Sequence, residues 1–330
     1  MLLEARARTR AEVLAVDLDT RNRPQRAARA IVRRAFSSRT AKRAAILFKK
    51  IDSTLRGHVA AELAAAARAL GRRPILFAPA FTAQGRKVRD ARLHLAGKPR
   101  SGDLRALLAH AGLPATHLDL ASVRGGGLAR AMRAALATGA RALACDAVHD
   151  ADLDAIARAG LRLRPRPLFV GSAGLARALA RTFARTGAAP RPKLDWRPVI
   201  AVVGSASPVS ARQARELARS RRLIGAGALV RMAWTREPGP RDIPAVRRLG
   251  RQVARLAPRA HYVLTGGETA RAVLAARGLR ELRLLGEVEP GVPFGMAPDG
   301  TLVCTKAGAF GNPGTLVKCV VRLGKEMQGA

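Results

Sequence analysis

Glycine- and serine-rich tips repeatedly follow short apolar runs in this chain and precede alanine-rich helical patterns. The apolar runs begin at Ala44, Pro167, Val199 and Tyr262. Alternation of buried strand, polar tip and helix is typical of α/β domains, in which largely parallel sheets are flanked by helices. Each tip is then the carboxyl end of a strand meeting the amino end of a helix, where free backbone N–H groups bind small anions. The pattern predicts an α/β fold with anion sites at its strand ends.

Two such domains are predicted. The chain has 330 residues, which exceeds the common size of a single domain, about 100–150 residues. A proline-rich stretch over residues 187–198 interrupts the alternation, and segments of this composition are usually extended and poorly packed. We therefore predict one domain over residues 1–190 and a second over residues 191–330.

The segment Phe48–Gly57, which we call the cationic elbow, is crowded with polar side chains. Its charged and hydroxyl residues are Lys49, Lys50, Asp52, Ser53, Thr54 and Arg56. Asp, Ser and Thr are ordinary N-cap residues, so capping alone accounts for one of them. It does not account for the cations, because positive charge is disfavoured at the amino end of a helix unless an anion compensates it. The elbow therefore predicts a site for a small anionic substrate.

Three other segments of the first domain have the same organisation. Val13–Arg21 is predicted to be a buried strand with a polar tip, at which Asp19 and Thr20 either line a pocket or form a turn. Pro79–Lys87 is a long polar loop after a strand, and such loops usually carry function. Gly171 and Ser172 follow a further apolar run and open a helix, which is a weak indication of an anion cradle.

Three glycine-rich turns in the second domain predict a phosphate site. Each turn directly follows an apolar run, within the segments Val199–Pro208, Tyr262–Ala270 and Leu302–Pro313. The adjacent glycines of the second turn let a phosphate approach the backbone closely. Lys306, beside the third turn, is the kind of cation that a triphosphate requires. Tight turns alone would also explain the glycines of any single segment.

Other chemical signatures are weak. The sequence contains no P-loop, no dinucleotide-binding G-x-G-x-x-G and none of the common hydrolase motifs. One group of residues invites interpretation as a metal site, namely Asp146, His149, Asp150, Asp152 and Asp154. Acidic residues where a helix begins also satisfy the helix dipole, and we favour that interpretation, with no dedicated metal ligands.

The formal net charge of +37 suggests a nucleic-acid partner. However, the arginines are spread over every predicted helix and most loops, and aromatic residues make up only 3% of the chain. Scattered positive charge attracts polyanions but forms no surface that recognises a base sequence. Few aromatic rings are available for bases to stack on. Compositional bias on solvated helix faces is therefore favoured, and no specific nucleic-acid partner is predicted.

Cysteine usage and hydropathy favour the cytoplasm. The three cysteines are far apart and form no C-x-x-C pair, which is typical of reduced, buried residues. No apolar run approaches the roughly 18 residues of a membrane span, and no signal peptide is evident. A cytoplasmic protein without a membrane partner is predicted, and a homodimer is left open.

Several of these motifs together resemble one enzyme family. KKIDSTLRG in the elbow, Ala78–Phe81 with Gly85 and Arg86, GSAGLA from Gly171, and later GSxS, TGGET and KxGxFG motifs are similar to segments of the four-carbon acid sugar kinases. That family phosphorylates acids such as erythronate, threonate and 3-oxo-tetronates. The resemblance runs through nearly the whole chain and implies a sugar-acid domain followed by a domain that binds ATP and Mg²⁺.

The resemblance also assigns site residues. For the sugar acid it implies Arg21, Lys50, Asp52, Ser53, Arg56, Arg86, Gly171 and Ser172. For the nucleotide it implies Gly204, Ser205, Ser207, Gly266, Gly267, Glu268, Thr269, Lys306, Gly308 and Gly311. Asp52 is the candidate catalytic residue, as a base or as a group that orients the substrate hydroxyl. The magnesium ion would be held largely by phosphate oxygens.

The chain departs from the family pattern at its start. Family members begin with a strand and an Asp-Asp-x-Thr-Gly-Ala motif in the substrate site, and no similar motif precedes Val13. Removing one strand and helix from a parallel sheet exposes apolar surface and unpaired backbone. We therefore expect lower stability than in complete relatives and an uncertain activity. The alternatives are an inactive ligand-binding relative and a basic nucleic-acid-binding protein.

Overall fold

A computed structural model describes residues 11–183, 195–220, 228–231 and 242–328, the third range through its backbone. The chain divides into two compact units. One, the N-terminal unit, spans Leu18–Thr186, and the other, the C-terminal unit, combines Met1–Asp17 with Gly187–Ala330. The predicted boundary between residues 190 and 191 lies outside the described residues. Among these, no helix is both long and apolar enough to cross a membrane.

The N-terminal unit alternates strands and helices, as the hydrophobic pattern predicts. Its helices are α1 (Gln25–Ser37), α2 (Arg39–Arg43), α3 (Val59–Leu70), α4 (Leu104–His110), α5 (Leu120–Arg124), α6 (Leu128–Ala137), α7 (Asp150–Leu161) and α8 (Ala173–Phe183). Its strands are β1 (Leu47–Lys50), β2 (Ile75–Ala78), β3 (Arg86–Arg89), β4 (Arg92–Leu95), β5 (Lys98–Pro99), β6 (Ala115–Leu118), β7 (Ala142–Cys145) and β8 (Leu168–Gly171).

Five strands of this unit form one parallel sheet in the order β1-β8-β2-β7-β6. The strands β2, β7 and β8 are buried throughout, because helices cover both faces of a parallel sheet. The core is aliphatic and alanine-rich, with Phe77 and Phe169 as its largest side chains. The strands β3, β4 and β5 form a separate antiparallel sheet. Because Arg86 already begins β3, the loop that was predicted over Pro79–Lys87 is shorter than expected.

The predicted strand over Val13–Arg21 is wrong. This stretch contains a single bridge residue, Val16, and Val13 is 86% exposed. Apolar residues form a buried strand only where neighbouring strands pair with them on the core side. Here the acidic residues Asp17 and Asp19 interrupt the run, and Asp19 adopts a φ of 50°, which ends the extended conformation.

The C-terminal unit is built on one mixed sheet. Its strands are β9 (Val199–Val203), β10 (Ala228–Arg231), β11 (His261–Thr265), β12 (Arg283–Glu289), β13 (Val292–Met296) and β14 (Leu302–Lys306), and its helices are α9 (Pro208–Arg219), α10 (Ile243–Leu256), α11 (Gly267–Ala276) and α12 (Thr315–Gln328). The order is β10-β9-β11-β14-β13-β12. The first four strands are parallel, and the last three form antiparallel pairs. Buried residues pack on both faces of this sheet.

Candidate active site

Strand order brings the predicted site segments together within each unit. In the N-terminal unit, β1, β8 and β2 are neighbours, so the elbow, the Gly171–Ser172 tip and the segment after β2 leave the same edge of the sheet. In the C-terminal unit, β9, β11 and β14 are neighbours, so the three glycine-rich turns also share one edge. Ligands of open α/β sheets bind at this carboxyl edge.

Asp52 is the centre of the cationic elbow. Its Oδ1 accepts hydrogen bonds from the amide of Thr54 at 2.9 Å and from the Thr54 hydroxyl at 2.6 Å. The Arg56 guanidinium donates to both carboxylate oxygens at 3.2 Å, and Arg21 forms an ion pair with Oδ2. Two guanidinium groups thus surround one carboxylate and leave the cluster with an excess of positive charge. Both are largely exposed and can reorient toward an anion.

These contacts determine what Asp52 can do. Burial alone would raise the pKa of Asp52, but hydrogen bonds from Arg56 and Thr54, together with the Arg21 charge, lower it far below its usual range. A general base works best when its pKa lies near the working pH, and a carboxylate held this tightly accepts a proton poorly. The geometry therefore disfavours the predicted role of Asp52 as a base and shows it holding the Arg21 and Arg56 guanidinium groups, while its predicted contact with the substrate hydroxyl stays a prediction.

The other elbow cations have different surroundings. Lys49 is buried, and its Nζ lies 2.5 Å from the Glu62 carboxylate on α3, so this charge is neutralised beneath the elbow. Lys50, the last residue of β1, is exposed at the sheet edge. Of these two lysines, Lys50 alone is placed to meet a ligand.

The Gly171–Ser172 tip is closely packed. A Cβ atom on Gly171 would lie 2.5 Å from the Ala78 carbonyl oxygen, so only glycine fits between β8 and β2. The Ser172 hydroxyl is buried and donates to the Ala80 carbonyl at 2.7 Å. These contacts give both residues a structural role, and their predicted contact with the sugar acid stays a prediction.

Arg86 lies where a closed loop meets β3. Backbone hydrogen bonds in both directions join Phe81 and Arg86, at 2.7 and 3.1 Å. The guanidinium donates to the Gln84 side chain, while its Nε is buried without a hydrogen-bond partner among the described residues. Arg86 therefore retains donor capacity for an anionic ligand.

Protein donors already occupy the carboxylates of the acidic cluster. Asp146 accepts two backbone amides, Asp150 accepts the Thr82 hydroxyl and Asp154 accepts Arg181. Asp152 accepts hydrogen bonds from Arg124 and from the amides of Val148 and His149, which directly precede α7. The described part of the chain contains no group of three or more His, Cys, Asp or Glu side chains placed to hold a metal ion.

The three glycine-rich turns of the C-terminal unit interlock. A Cβ atom on Gly204 would collide with the Thr269 side chain, and one on Gly308 would collide with Ser205. Gly266 has a φ of 99°, in the region that favours glycine, and its amide donates to the Lys306 carbonyl at 2.9 Å. The turns after β9, β11 and β14 thus form one surface. A larger residue in place of Gly204 or Gly308 would push the neighbouring turn away.

Lys306 lies beneath this surface and is only 4% exposed. Its ammonium donates to the Thr265 hydroxyl at 2.9 Å, the Gly308 carbonyl at 3.3 Å and the Ser210 hydroxyl at 3.4 Å. Burial lowers the pKa of Lys306 to about 8, although the electrostatic influence of the Glu289 carboxylate partly opposes the shift. A buried ammonium with neutral acceptors is strongly attracted to an added anion.

Backbone donors are also available around the same turns. The helix α11 begins without a side-chain cap, which leaves first-turn amides such as those of Gly267 and Thr269 without a capping acceptor. The amides of Gly308, Ala309 and Gly311 form no hydrogen bond with the described residues. Such donors beside a buried cation match the chemistry of phosphate binding.

Sequence reasoning did not assign Ser210 and Gln213 to the site. They lie three positions apart on α9, and both are fully buried. The Gln213 amide donates to the carbonyls of Phe310 at 3.0 Å and Asn312 at 2.8 Å, while Ser210 donates to Gly308 at 2.7 Å. By holding these carbonyls toward α9, the two side chains fix the conformation of the third turn. Polar residues on the inward face of an amphipathic helix were the signal that could have identified them.

The variant Gln213→Glu is expected to weaken ATP binding about tenfold, because it replaces the donor of two hydrogen bonds with a carboxylate that repels both carbonyls. Isothermal titration calorimetry with ATP measures the effect. Gln252→Glu, the same change at an exposed position of α10, serves as the matched control and should bind ATP normally. Wild-type affinity in Gln213→Glu would contradict the role of Gln213.

Comparisons with known proteins agree with this architecture. Residues 1–179 match a family model described as a sugar-binding N-terminal domain, and residues 226–316 match one described as a nucleotide-binding C-terminal domain. The chain is 38% identical to a D-threonate kinase of Cupriavidus necator, over 93% of this chain and 87% of the relative. It is 34% identical to a D-threonate kinase of Bordetella bronchiseptica, over 93% and 85%. A solved structure from Salmonella typhimurium LT2 shares the fold, with a TM-score of 0.78 at 19% identity, covering 96% of this chain and 92% of that one.

Together with these kinase relatives, a sugar-binding domain followed by a nucleotide-binding domain identifies a phosphotransferase with an alcohol group as acceptor. The chain belongs to the four-carbon acid sugar kinase family. The family resemblance seen in the motifs and the predicted α/β fold class are therefore both confirmed.

Proposed function

We propose that this protein is an ATP-dependent kinase that phosphorylates a hydroxyl group of a four-carbon sugar acid, a tetronate or 3-oxo-tetronate. The main support is the buried Lys306 ammonium beneath three interlocked glycine-rich turns. Its neutral acceptors and the free amides nearby suit a polyphosphate. The names of the similar D-threonate kinases support a sugar acid as acceptor.

Arg21 and Arg56 are proposed to bind the carboxylate of the sugar acid. Both guanidinium groups contact Asp52 with only part of their N–H donors and are exposed, so the remaining donors can bind a second carboxylate. Asp52 would then hold the two arginines in the orientation needed for forked hydrogen bonds. Lys50, Ser53 and Arg86 remain further candidates for this site, as do Gly171 and Ser172.

The nucleotide is proposed to bind at the carboxyl edge of β9, β11 and β14. Lys306 would neutralise phosphate charge, and the amides of the glycine-rich turns would donate to phosphate oxygens. The residues involved are Gly204, Ser205, Ser207, Gly266, Gly267, Glu268, Thr269, Lys306, Gly308 and Gly311. These donors fit ATP better than they fit a metal ion, and Mg²⁺ would be held mainly by the phosphate oxygens.

Catalysis would depend on positioning and charge neutralisation. Phosphoryl transfer has a loose transition state whose charge is spread over the phosphoryl oxygens, so cationic and N–H donors carry most of the rate enhancement. Because the pKa of Asp52 is strongly lowered by its donors, proton removal from the acceptor hydroxyl is not assigned to it. Asp52 instead keeps the cations of the elbow in place.

The variant Arg56→Ala is expected to raise KM for the sugar acid about 10–100-fold, because it removes a charge-assisted contact to the carboxylate. KM for ATP should change little. Initial rates of ADP formation with D-threonate, erythronate and 3-oxo-tetronate measure both constants. Arg68→Ala, at the other end of α3, is the matched control and should behave as the wild type. An equal rise in the KM for the sugar acid and the KM for ATP would contradict the assignment of Arg56.

The same assay separates the rival functions. An inactive relative would bind ATP without forming ADP with any tetronate. A nucleic-acid-binding protein would retain RNA or duplex DNA on a filter with an affinity that falls steeply with salt and that ATP does not reduce. The three cysteines are free and buried, which agrees with the proposed cytoplasmic location.

A further inference from the structure

Asp146 lies where catalytic carboxylates often lie in α/β proteins, directly after the buried strand β7. It is only 1% exposed. Its Oδ2 accepts the amide of Asp90 at 2.8 Å, and its Oδ1 accepts the amide of Ala91 at 3.1 Å. Nε2 of His117 lies 3.0 Å from Oδ1, close enough for an ionic contact but without hydrogen-bond geometry. The carboxylate is therefore bound to the protein's own backbone.

The two amides belong to the turn between β3 and β4. Asp90 and Ala91 are its central residues, with φ values of 52° and 53°. Left-handed conformations at both positions define a type I′ turn, which normally requires asparagine or glycine. Alanine is disfavoured there, because its Cβ atom crowds the following carbonyl oxygen in the left-handed conformation. The consecutive amides of such a turn form a concave anion site, and here the Asp146 carboxylate fills it.

The turn is part of the structure that carries Arg86. In the strand pairing, Arg86 opposes Leu95 at the open end of this hairpin, and its backbone also closes the loop to Phe81. The residue after Asp146 extends the attachment, because Ala147 and Val88 exchange backbone hydrogen bonds at 2.8 and 3.0 Å. The end of β7 thus holds the hairpin at its turn and along β3. β7 is also the neighbour of β2, whose loop leads to Arg86.

We propose that Asp146 is a positioning residue for the sugar-acid site, which acts by holding the β3–β4 hairpin and hence Arg86 in place. This inference rests on the proposed kinase function and on a contact of Arg86 with the sugar acid. It assigns a role to a buried carboxylate that the proposed phosphoryl transfer does not itself use. Asp146 itself contacts neither substrate nor nucleotide in this proposal.

The variant Asp146→Asn keeps the size of the side chain but turns an NH₂ group toward one of the two turn amides. KM for the sugar acid should rise about tenfold, whereas KM for ATP should stay within twofold of the wild type. Hydrogen exchange at Val88, Asp90 and Ala91 should be faster. Asp154→Asn, the same change at a surface carboxylate paired with Arg181, is the matched control and should leave both KM values unchanged.

A second substitution distinguishes positioning from a general loss of stability. Adding Ala91→Gly to Asp146→Asn removes the energetic cost of a left-handed alanine at the turn. The KM for the sugar acid should then return most of the way to its wild-type value. An unchanged KM for the acid in Asp146→Asn, or an equal rise in both KM values, would overturn the proposal. A wild-type chain that forms no ADP with any tetronate would instead overturn the kinase function on which the proposal rests.

Discussion

Replacing Lys306 with methionine is expected to lower kcat/KM for ATP by about 10²–10³-fold, the usual effect of removing one preorganised donor from a developing charge. The ammonium is buried among the Thr265 and Ser210 hydroxyls and the Gly308 carbonyl. Methionine fills a similar volume without the charge, so the fold should persist. Steady-state rates of ADP formation at varied ATP measure the loss.

The pH dependence of ATP binding tests the same residue in a different way. Because burial lowers the pKa of Lys306 to about 8, the free protein loses this charge as the pH rises through that value. ATP favours the protonated amine, so its Kd should increase above about pH 8, by up to tenfold per pH unit. Binding in this range should also take up a proton, which calorimetry in two buffers of different ionisation enthalpy detects.

A control variant and a pH comparison test whether the effect is specific to Lys306. Lys325→Met removes an exposed lysine from the last turn of α12 and should leave kcat/KM unchanged. The affinity of Lys306→Met for ATP should no longer change between pH 8 and 10. If Lys306→Met retained the wild-type kcat/KM, or the same pH dependence, the triphosphate would not bind at this lysine.

Replacing Glu62 with alanine is expected to lower the free energy of unfolding of the N-terminal unit by about 3–5 kcal/mol. Glu62 is the partner of Lys49, and both side chains are less than a tenth exposed. Removing the carboxylate leaves a buried ammonium without a counter-ion, which costs more than the pair itself contributes. Urea unfolding followed by circular dichroism measures the change.

The double variant Lys49→Met with Glu62→Met separates charge from packing. Replacing both partners with apolar side chains should restore most of the lost stability. The exposed pair of Asp154 and Arg181 is the matched control, because Asp154→Ala should cost at most about 1 kcal/mol. A loss of less than 1 kcal/mol in Glu62→Ala would mean that water or another group compensates Lys49.

The strand tips could be predicted from local sequence alone. The apolar runs that lead into the three glycine-rich turns form strands that end at the carboxyl edge of their sheet, at Val203, Thr265 and Lys306. The prediction succeeds because strand, tip and helix are adjacent in sequence. It fails at Val13–Arg21, because strand formation there requires partners that hydropathy does not reveal.

The roles of individual charges could not be predicted in the same way. Lys49 and Lys50 are adjacent in sequence, yet one is buried against Glu62 and the other is exposed at the sheet edge. Successive side chains of a strand point to opposite faces, so their environments depend on what packs on each face. Asp146 was grouped with four other acidic or histidine residues, but its carboxylate accepts amides from a hairpin more than fifty positions earlier in the chain.

The sequence by itself determined the α/β class, the kinase family and the identity of the glycine-rich turns, because these features are written in short contiguous motifs. Only the tertiary structure decided which turns are neighbours, which cations are already neutralised and which carboxylates are occupied. Strand order and side-chain burial decide these points, and both depend on contacts between residues far apart in the chain. The lowered pKa of Asp52 and the buried ammonium of Lys306 arise from such contacts.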